Sequence, residues 1–312
     1  MALFEDREIE PAIAGLLGSI STADGPTDEQ LTVLNSIAHH VLGRADIDLA
    51  HLTPLSAQDT AGALQRPDAR LRFAEIVMTL ELCRHPPSFE QVNLSEQYVR
   101  AMGMGDHEIE LTRVAIERGA EVASTDLERS YAKILPDISE LSLRNKYLRL
   151  DQPDHELAAR LKALHDLPEE TLGYQYIEFY RRHGFTLPGD DVHTPAHYVN
   201  HDMNHVITGY PPTAPGEIAR SGFLMAANDS RHNWLEFLLT MSIHESGVLN
   251  HGEIRAKVAT LDRDGVADYL SEGLRRGARC TVDLSGVDHL AIAHLPLEQV
   301  RADFSVVPLS TA

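Results

Sequence analysis

Residues 28–43 read DEQLTVLNSIAHHVLG, and the spacing of their apolar side chains decides the fold class. Leu31, Leu34, Ile37, Ala38 and Val41 recur at intervals of three and four, which puts them on one stripe of an α-helix. Asp28 and Glu29 stand in the first turn, where negative charge meets the positive end of the helix dipole. Gly43 follows the last apolar position and is a natural stop, because glycine enters the left-handed conformation at little cost. The same period runs through RLRFAEIVMTLELCR (70–84), SEQYVRAMGM (95–104) and HEIELTRVAIERGAEVAS (107–124). Strand-like alternation is scarce until TVDLSG at 281–286. The chain is therefore expected to be all-α.

At 312 residues it is long enough for two helical domains, each with its own core. KYLRLDQPDHELAARLKALHDLP (146–168), with a proline on each side of one short amphipathic helix, links two helix-rich halves. The expected division is 1–145 and 146–312. The net charge of −20 is spread evenly, with 14 basic against 24 acidic side chains over residues 1–150. That balance excludes nucleic acid, which is held by clustered Lys and Arg, and simple electrostatic docking onto anionic lipid. Cys83 and Cys280 are too far apart in sequence for a zinc-ribbon spacing and fit buried thiols in a reducing compartment. The opening MALFEDREIE is acidic where a secretory leader is basic, and no apolar run reaches the roughly 20 residues of a spanning helix. A cytoplasmic, soluble protein without signal peptide or transmembrane segment is expected.

The chemistry concentrates in TPAHYVNHDMNHVITGYPPTAPGE (194–217). Thr194-Pro195 reads as a helix start, and Gly209 followed by Pro211 and Pro212 reads as its end. Within that helix His201 and His205 are four apart and share a face, while Asp202 lies about 100° round from His201. Glu217 opens the next helix after a Pro/Gly-rich reversal. Two imidazoles with two carboxylates suit Zn2+, or Fe2+ and Mn2+ where positions stay open; calcium and magnesium want more oxygen. His197, one turn before His201, is expected in the second shell, with Asp229 and Glu236 as outer groups. A phosphohydrolase built on the His201-Asp202 pair would need partners such as His183 and Asp229, but leaves His205 and Glu217 unexplained. A carboxylate-bridged di-iron site needs two ExxH helices, and only Asp202-x-x-His205 comes near. His244 and His251 read as surface or helix-end residues, and His39 and His40 carry no chemistry.

Two resemblances add to this. ISTADGPTDEQLTVLNSIAHHVL (20–42) resembles the opening of TerB-like domains, the helical bundles named for tellurite resistance. Asp24 and Glu29 could chelate a cation there, although Asp24-Gly25-Pro26-Thr27 reads more simply as a turn into an N-cap. In the second half, His201-Asp202-x-x-His205, eleven residues, then Glu217 is similar to the HDxxHx11E motif of the ubiquinone-biosynthesis family called Coq-four. LPEETLGYQYIEFY (167–180) and GVDHLAIAHLPLEQVRADFSVVP (286–308) resemble that family's flanking segments, so the likeness covers roughly 165–308.

The Coq-four resemblance implies an all-helical fold and a divalent metal, usually taken as zinc, on His201, Asp202, His205 and Glu217. It also implies association with a quinone-making complex at the membrane, and oxidative decarboxylation of a prenylated hydroxybenzoate-like ring. The partners it implies are a prenylated quinone-like or isoprenoid lipid and other quinone-biosynthesis proteins, with the chain as a homo-oligomer. GYQYIEFYRRHGF (173–185) and SGFLMAANDSRHNWLEFLLTMSIH (221–244) are apolar enough to line a groove for the tail, or to be plain core. The N-terminal half has no counterpart in usual members, and mitochondrial targeting segments are missing. The alternative is a non-catalytic prenyl-lipid scaffold whose metal is structural, with a closed shell.

Overall fold

A computed structural model describes residues 3–104, 140–146, 152–192, 194, 196–247 and 257–309. The described residues are helical, with isolated bridges and no strand. In chain order the helices are α1 (Asp6–Ile20), α2 (Asp28–Ser36), α3 (Ala57–Ala63), α4 (Pro67–Leu82) and α5 (Phe89–Ala101). They continue with α6 (His155–Lys162), α7 (Leu172–His183), α8 (Tyr198–Thr208), α9 (Ala214–Ala227) and α10 (Arg231–His244). The last are α11 (Val266–Gly277), α12 (His289–Ile292) and α13 (Leu297–Asp303). None of the described helices is long and apolar enough to cross a membrane. HEIELTRVAIERGAEVAS and His251 lie outside the described residues.

The chain forms two compact units, each discontinuous in sequence. One comprises Met1–Tyr131 and Thr213–Ala278, the other Ala132–Pro212 and Arg279–Ala312. The expected division into 1–145 and 146–312 is read from the proline-flanked segment 146–168 and stands as that expectation.

In the first unit the predicted stripe is buried at Leu34, Ile37 and Ala38 and half-buried at Leu31 and Val41, while Val33, which lay outside that stripe, is buried beside it. Thr27 is the N-cap of α2, accepting from the Gln30 backbone N–H, so the Asp24–Thr27 turn leads into a capping box. A π-helical turn, Ile37–Val41, extends α2, and Gly43 follows at φ 68°. The core joins sequence-distant helices: α10 packs on α4 and α11 on α2, around Phe73, Trp234, Phe237 and Leu274. The apolar residues of 221–244 are thus largely core. Among the described helices α9 and α11 approach closely, because Gly273 and Gly277 bring α11 against the backbone of α9. A Cβ at Gly277 would stand 2.1 Å from the Phe223 carbonyl oxygen, and one at Gly273 would stand 2.3 Å from that of Ala219.

One buried charge in this unit is set against its surroundings. Arg72 bridges Glu75 and Asp229 and lies 5.8 Å from the Trp234 ring. Burial pushes the Glu75 carboxyl up to about 7 although Arg72 pulls it down. Between its unfolded value near 4.5 and about 7, the folded chain therefore holds a proton that the unfolded chain has released. Glu75 accordingly lends stability at low pH that is lost as pH rises through about 7. Urea unfolding followed by Trp234, the single tryptophan, should lose on the order of 3 kcal/mol between pH 5 and 8 from this group. Glu75→Gln should flatten that slope. An unchanged slope would assign it elsewhere.

In the second unit α7 starts at the N-cap Thr171, whose Oγ1 accepts from the Tyr174 N–H at 3.4 Å. The residues just before and inside α7 pair with the closing segment. Leu172 N–H donates to the Leu295 carbonyl, Gly173 N–H to Ala293, and Leu297 N–H to Glu170. LPEETLG and HLPLEQV are therefore two halves of one local structure. Helix α8 begins at Tyr198 with His197 as N-cap, later than Thr194-Pro195 predicts. The reason is that the Thr194 backbone is committed to a loop: its N–H donates to Asp191 and its carbonyl accepts from Gly189. Pro195 lies outside the described residues. Gly209 ends α8 as expected, left-handed at φ 84°. A second anchor comes from α13, where Arg301 donates to the Ile207 and Val206 carbonyls at 2.9 Å each. A guanidinium on the last carbonyls satisfies orphan acceptors and complements the negative end of the helix dipole.

Candidate metal centre

Helix α8 presents His201 and His205 from one face, as their spacing demands. His205 is buried and its ring is fixed on two sides. Its Nδ1 meets the Tyr210 carbonyl at 2.9 Å, and its plane stacks on Phe179, 5.7 Å between centroids and 18° from parallel. A carbonyl can only accept, so Nδ1 carries a proton and Nε2 is turned toward His201. That Nε2 stands 3.2 Å from Nε2 of His201, whose side chain is 25% exposed. Nitrogen atoms so close and so aimed repel unless a proton or a cation lies between them. Two imidazoles on a tetrahedral Zn2+ at about 2.1 Å hold their nitrogens about 3.4 Å apart. The observed separation and the carbonyl behind His205 both fit a metal-binding pair.

Asp202 is buried beside them, with Oδ1 3.9 Å from Nε2 of His201. Its Oδ2 accepts the hydroxyl of Tyr180 from α7, and Tyr180 in turn packs on Tyr176 at 5.0 Å. Burial, then the Asp202 charge, pushes the Tyr180 hydroxyl well above its usual range, so it remains a donor. This is the structural use of LGYQYIEFY: its buried face carries the group that orients the motif's aspartate. His197 stacks on Tyr198 at 4.4 Å, and Tyr198 meets the His201 ring edge-on at 5.9 Å. It thus reaches His201 through a neighbour.

Glu217 belongs to the first unit, in the first turn of α9, where the N-cap Thr213 accepts from Gly216 N–H. There its Oε2 accepts from Arg220 at 3.5 Å, and the same Arg220 nitrogen donates to Glu236 at 2.8 Å. Arg220 is buried, so Glu236 acts on Glu217 through it. Asp229, by contrast, is taken up by Arg72 and by Trp234 Nε1 at 3.3 Å. His244 ends α10, one of the two positions expected for it, and is buried there. Glu245 beside it accepts from Leu261 N–H at 2.8 Å and meets His85 at 3.0 Å. Cys83 and Cys280 are both buried free thiols.

The ring of His183 packs on Phe179 and on Phe185, which is 45% exposed. Desolvation among these rings, then the Arg182 charge, lowers the His183 imidazole below its usual value. Sequence reasoning missed Tyr180, Arg220, Tyr210 and Arg301. Only Tyr180 had a local signal, its place on the buried stripe of α7.

No family model matches the chain, and no curated protein matches it. Among solved structures it is similar to a Nostoc punctiforme protein provisionally assigned to ubiquinone biosynthesis, with 16% identity and a TM-score of 0.34. The match covers 78% of this chain and 99% of that one. So loose a superposition carries no functional argument.

Proposed function

We propose that the chain is a divalent-metal protein of ubiquinone-type biosynthesis that oxidatively decarboxylates a prenylated hydroxybenzoate-like ring. His201, Asp202, His205 and Glu217 are its metal ligands. The observation that carries the metal is the approach of two histidine nitrogens to 3.2 Å with Nδ1 of His205 held on a carbonyl. The pathway rests on the sequence resemblance at HDxxHx11E and its two flanking segments. Zn2+ suits the donor set best, with Fe2+ or Mn2+ as alternatives. When bound, such an ion would polarise the ring carboxylate and an adjacent hydroxyl and stabilise charge left as carbon dioxide departs.

The chain's own residues divide the remaining work. Tyr180 and Arg220 orient the carboxylates of Asp202 and Glu217. Tyr210 fixes the tautomer of His205. Phe179, His183 and Phe185 offer an aromatic surface beside His205 on which a substrate ring can stack. His183 lies within that surface and can exchange a proton there. Purified protein loaded in turn with Zn2+, Fe2+ and Mn2+ should convert a prenylated 4-hydroxybenzoate derivative in the presence of oxygen, read by mass spectrometry of the product. No turnover with any of the three ions would overturn the catalytic proposal. Co-purified isoprenoid lipid without turnover would select the carrier reading instead.

A further inference from the structure

Behind the metal-facing side of α8 runs a second polar constellation, entirely buried and entirely within the second unit. His289 and Glu140 have no solvent exposure, and Asn200 and Asn204 are 2% and 1% exposed. His289 Nε2 stands 3.1 Å from Asn204 Oδ1. Asn204 Nδ2 donates to Asn200 Oδ1 at 3.0 Å, and Asn200 Nδ2 donates to the Ser285 carbonyl at 3.3 Å. These donors all run one way and end on a carbonyl, so His289 Nε2 carries a proton. Its Nδ1 meets Glu140 Oε2 at 2.9 Å, and Glu140 Oε1 accepts from Leu290 N–H at 2.9 Å. A buried histidine–glutamate hydrogen bond therefore closes the chain, with Asn200 Nδ2 3.5 Å from the same ring nitrogen.

Burying polar groups in this way is a costly route to stability, since they leave water and apolar replacements often do as well. Its best-attested use is to specify one arrangement among several. Asn200 and Asn204 each immediately precede a metal-facing histidine, about 100° round the helix. Helix α8 cannot turn about its axis without breaking the links to His289 and Ser285. A rotation of about 10° would move a ring nitrogen some 8 Å from the axis by more than ~1 Å. Ligand distances tolerate only about 0.2 Å.

We propose that His289, paired with Glu140 and bonded to Asn204, is the positioning residue that fixes the rotation of α8 and so aims His201 and His205 at the metal. It rests on the metal assignment above and goes beyond it by naming the group that pre-organises the pair.

Zinc competition titrations and the visible spectrum of the cobalt(II)-loaded full chain test this. Wild type should bind zinc and show cobalt bands, and His205→Ala should show neither. His289→Leu and Asn204→Ala should keep their helical circular dichroism, yet bind zinc 10- to 100-fold more weakly with shifted cobalt bands. His289→Gln, which retains a donor for Asn204, should recover most of both signals. Leu161→Ala, which removes a fully buried side chain of the same unit outside this chain, should lower the melting temperature at unchanged zinc affinity. Should His289→Leu fail to fold, Asn204→Ala decides. Wild-type affinity and spectrum in the His289 and Asn204 variants would overturn the proposal, as would an equal loss in Leu161→Ala. A wild-type chain that binds no zinc would overturn the metal assignment itself, and that result is visible before any variant is made.

Discussion

His205→Ala should melt at the same temperature with and without added zinc, whereas the wild-type chain should melt on the order of 10 °C higher when zinc is supplied. The size follows from linkage. An ion at about a thousand times its dissociation constant stabilises the folded state by roughly 4 kcal/mol. For a unit of this size each kcal/mol moves the melting point by about 2–4 °C. The metal-free variant should also melt below metal-free wild type, because the Tyr210 carbonyl loses its donor and Phe179 loses the ring stacked on it. His197→Ala should retain most of the zinc-induced rise, since its ring stacks on Tyr198, which in turn meets the His201 ring edge-on. Differential scanning fluorimetry reads all three. Loss of the zinc response in both variants alike would place His197 on the ion.

The second large effect is expected far from the ion. Gly277→Ala should destabilise the first unit by roughly 3 kcal/mol or more. The added methyl group would meet a main-chain oxygen of α9, and backbone in the middle of a helix cannot swing aside as a side chain can. Helices α9 and α11 would have to separate, opening the core around Phe223, Phe237 and Leu274. Urea unfolding monitored at Trp234 should show the midpoint falling at little change in slope. A midpoint equal to wild type would mean that the two helices do not approach as closely as described.

Local patterns told most of what is local. The stripe of α2, its Thr27 cap, the left-handed ends at Gly43 and Gly209 and the first-turn place of Glu217 all follow from side-chain periodicity and backbone preference. So does the pairing of His201 with His205, because four residues is one helical turn. What stayed hidden depends on residues distant in sequence. The start of α8 shifted because Thr194 answers to Asp191 and Gly189 rather than to Pro195. The Glu140–His289 pair spans 149 positions and obeys no period. Arg301 gave no sign that it would cap a helix ninety-odd residues earlier. Nor does any local signal say that residues 213–278 share a compact unit with the N-terminal helices. Polar partners of this kind are chosen by tertiary placement, and periodicity carries no information about them.

The central claim is a single divalent ion on His201, Asp202, His205 and Glu217. Elemental analysis of the wild-type chain, purified without added metal and without chelator, beside His205→Ala prepared in the same way, tests it most directly. Close to one zinc, iron or manganese is expected per wild-type chain, and essentially none in the variant. Equal metal in the two, or none in wild type even after loading, would contradict it.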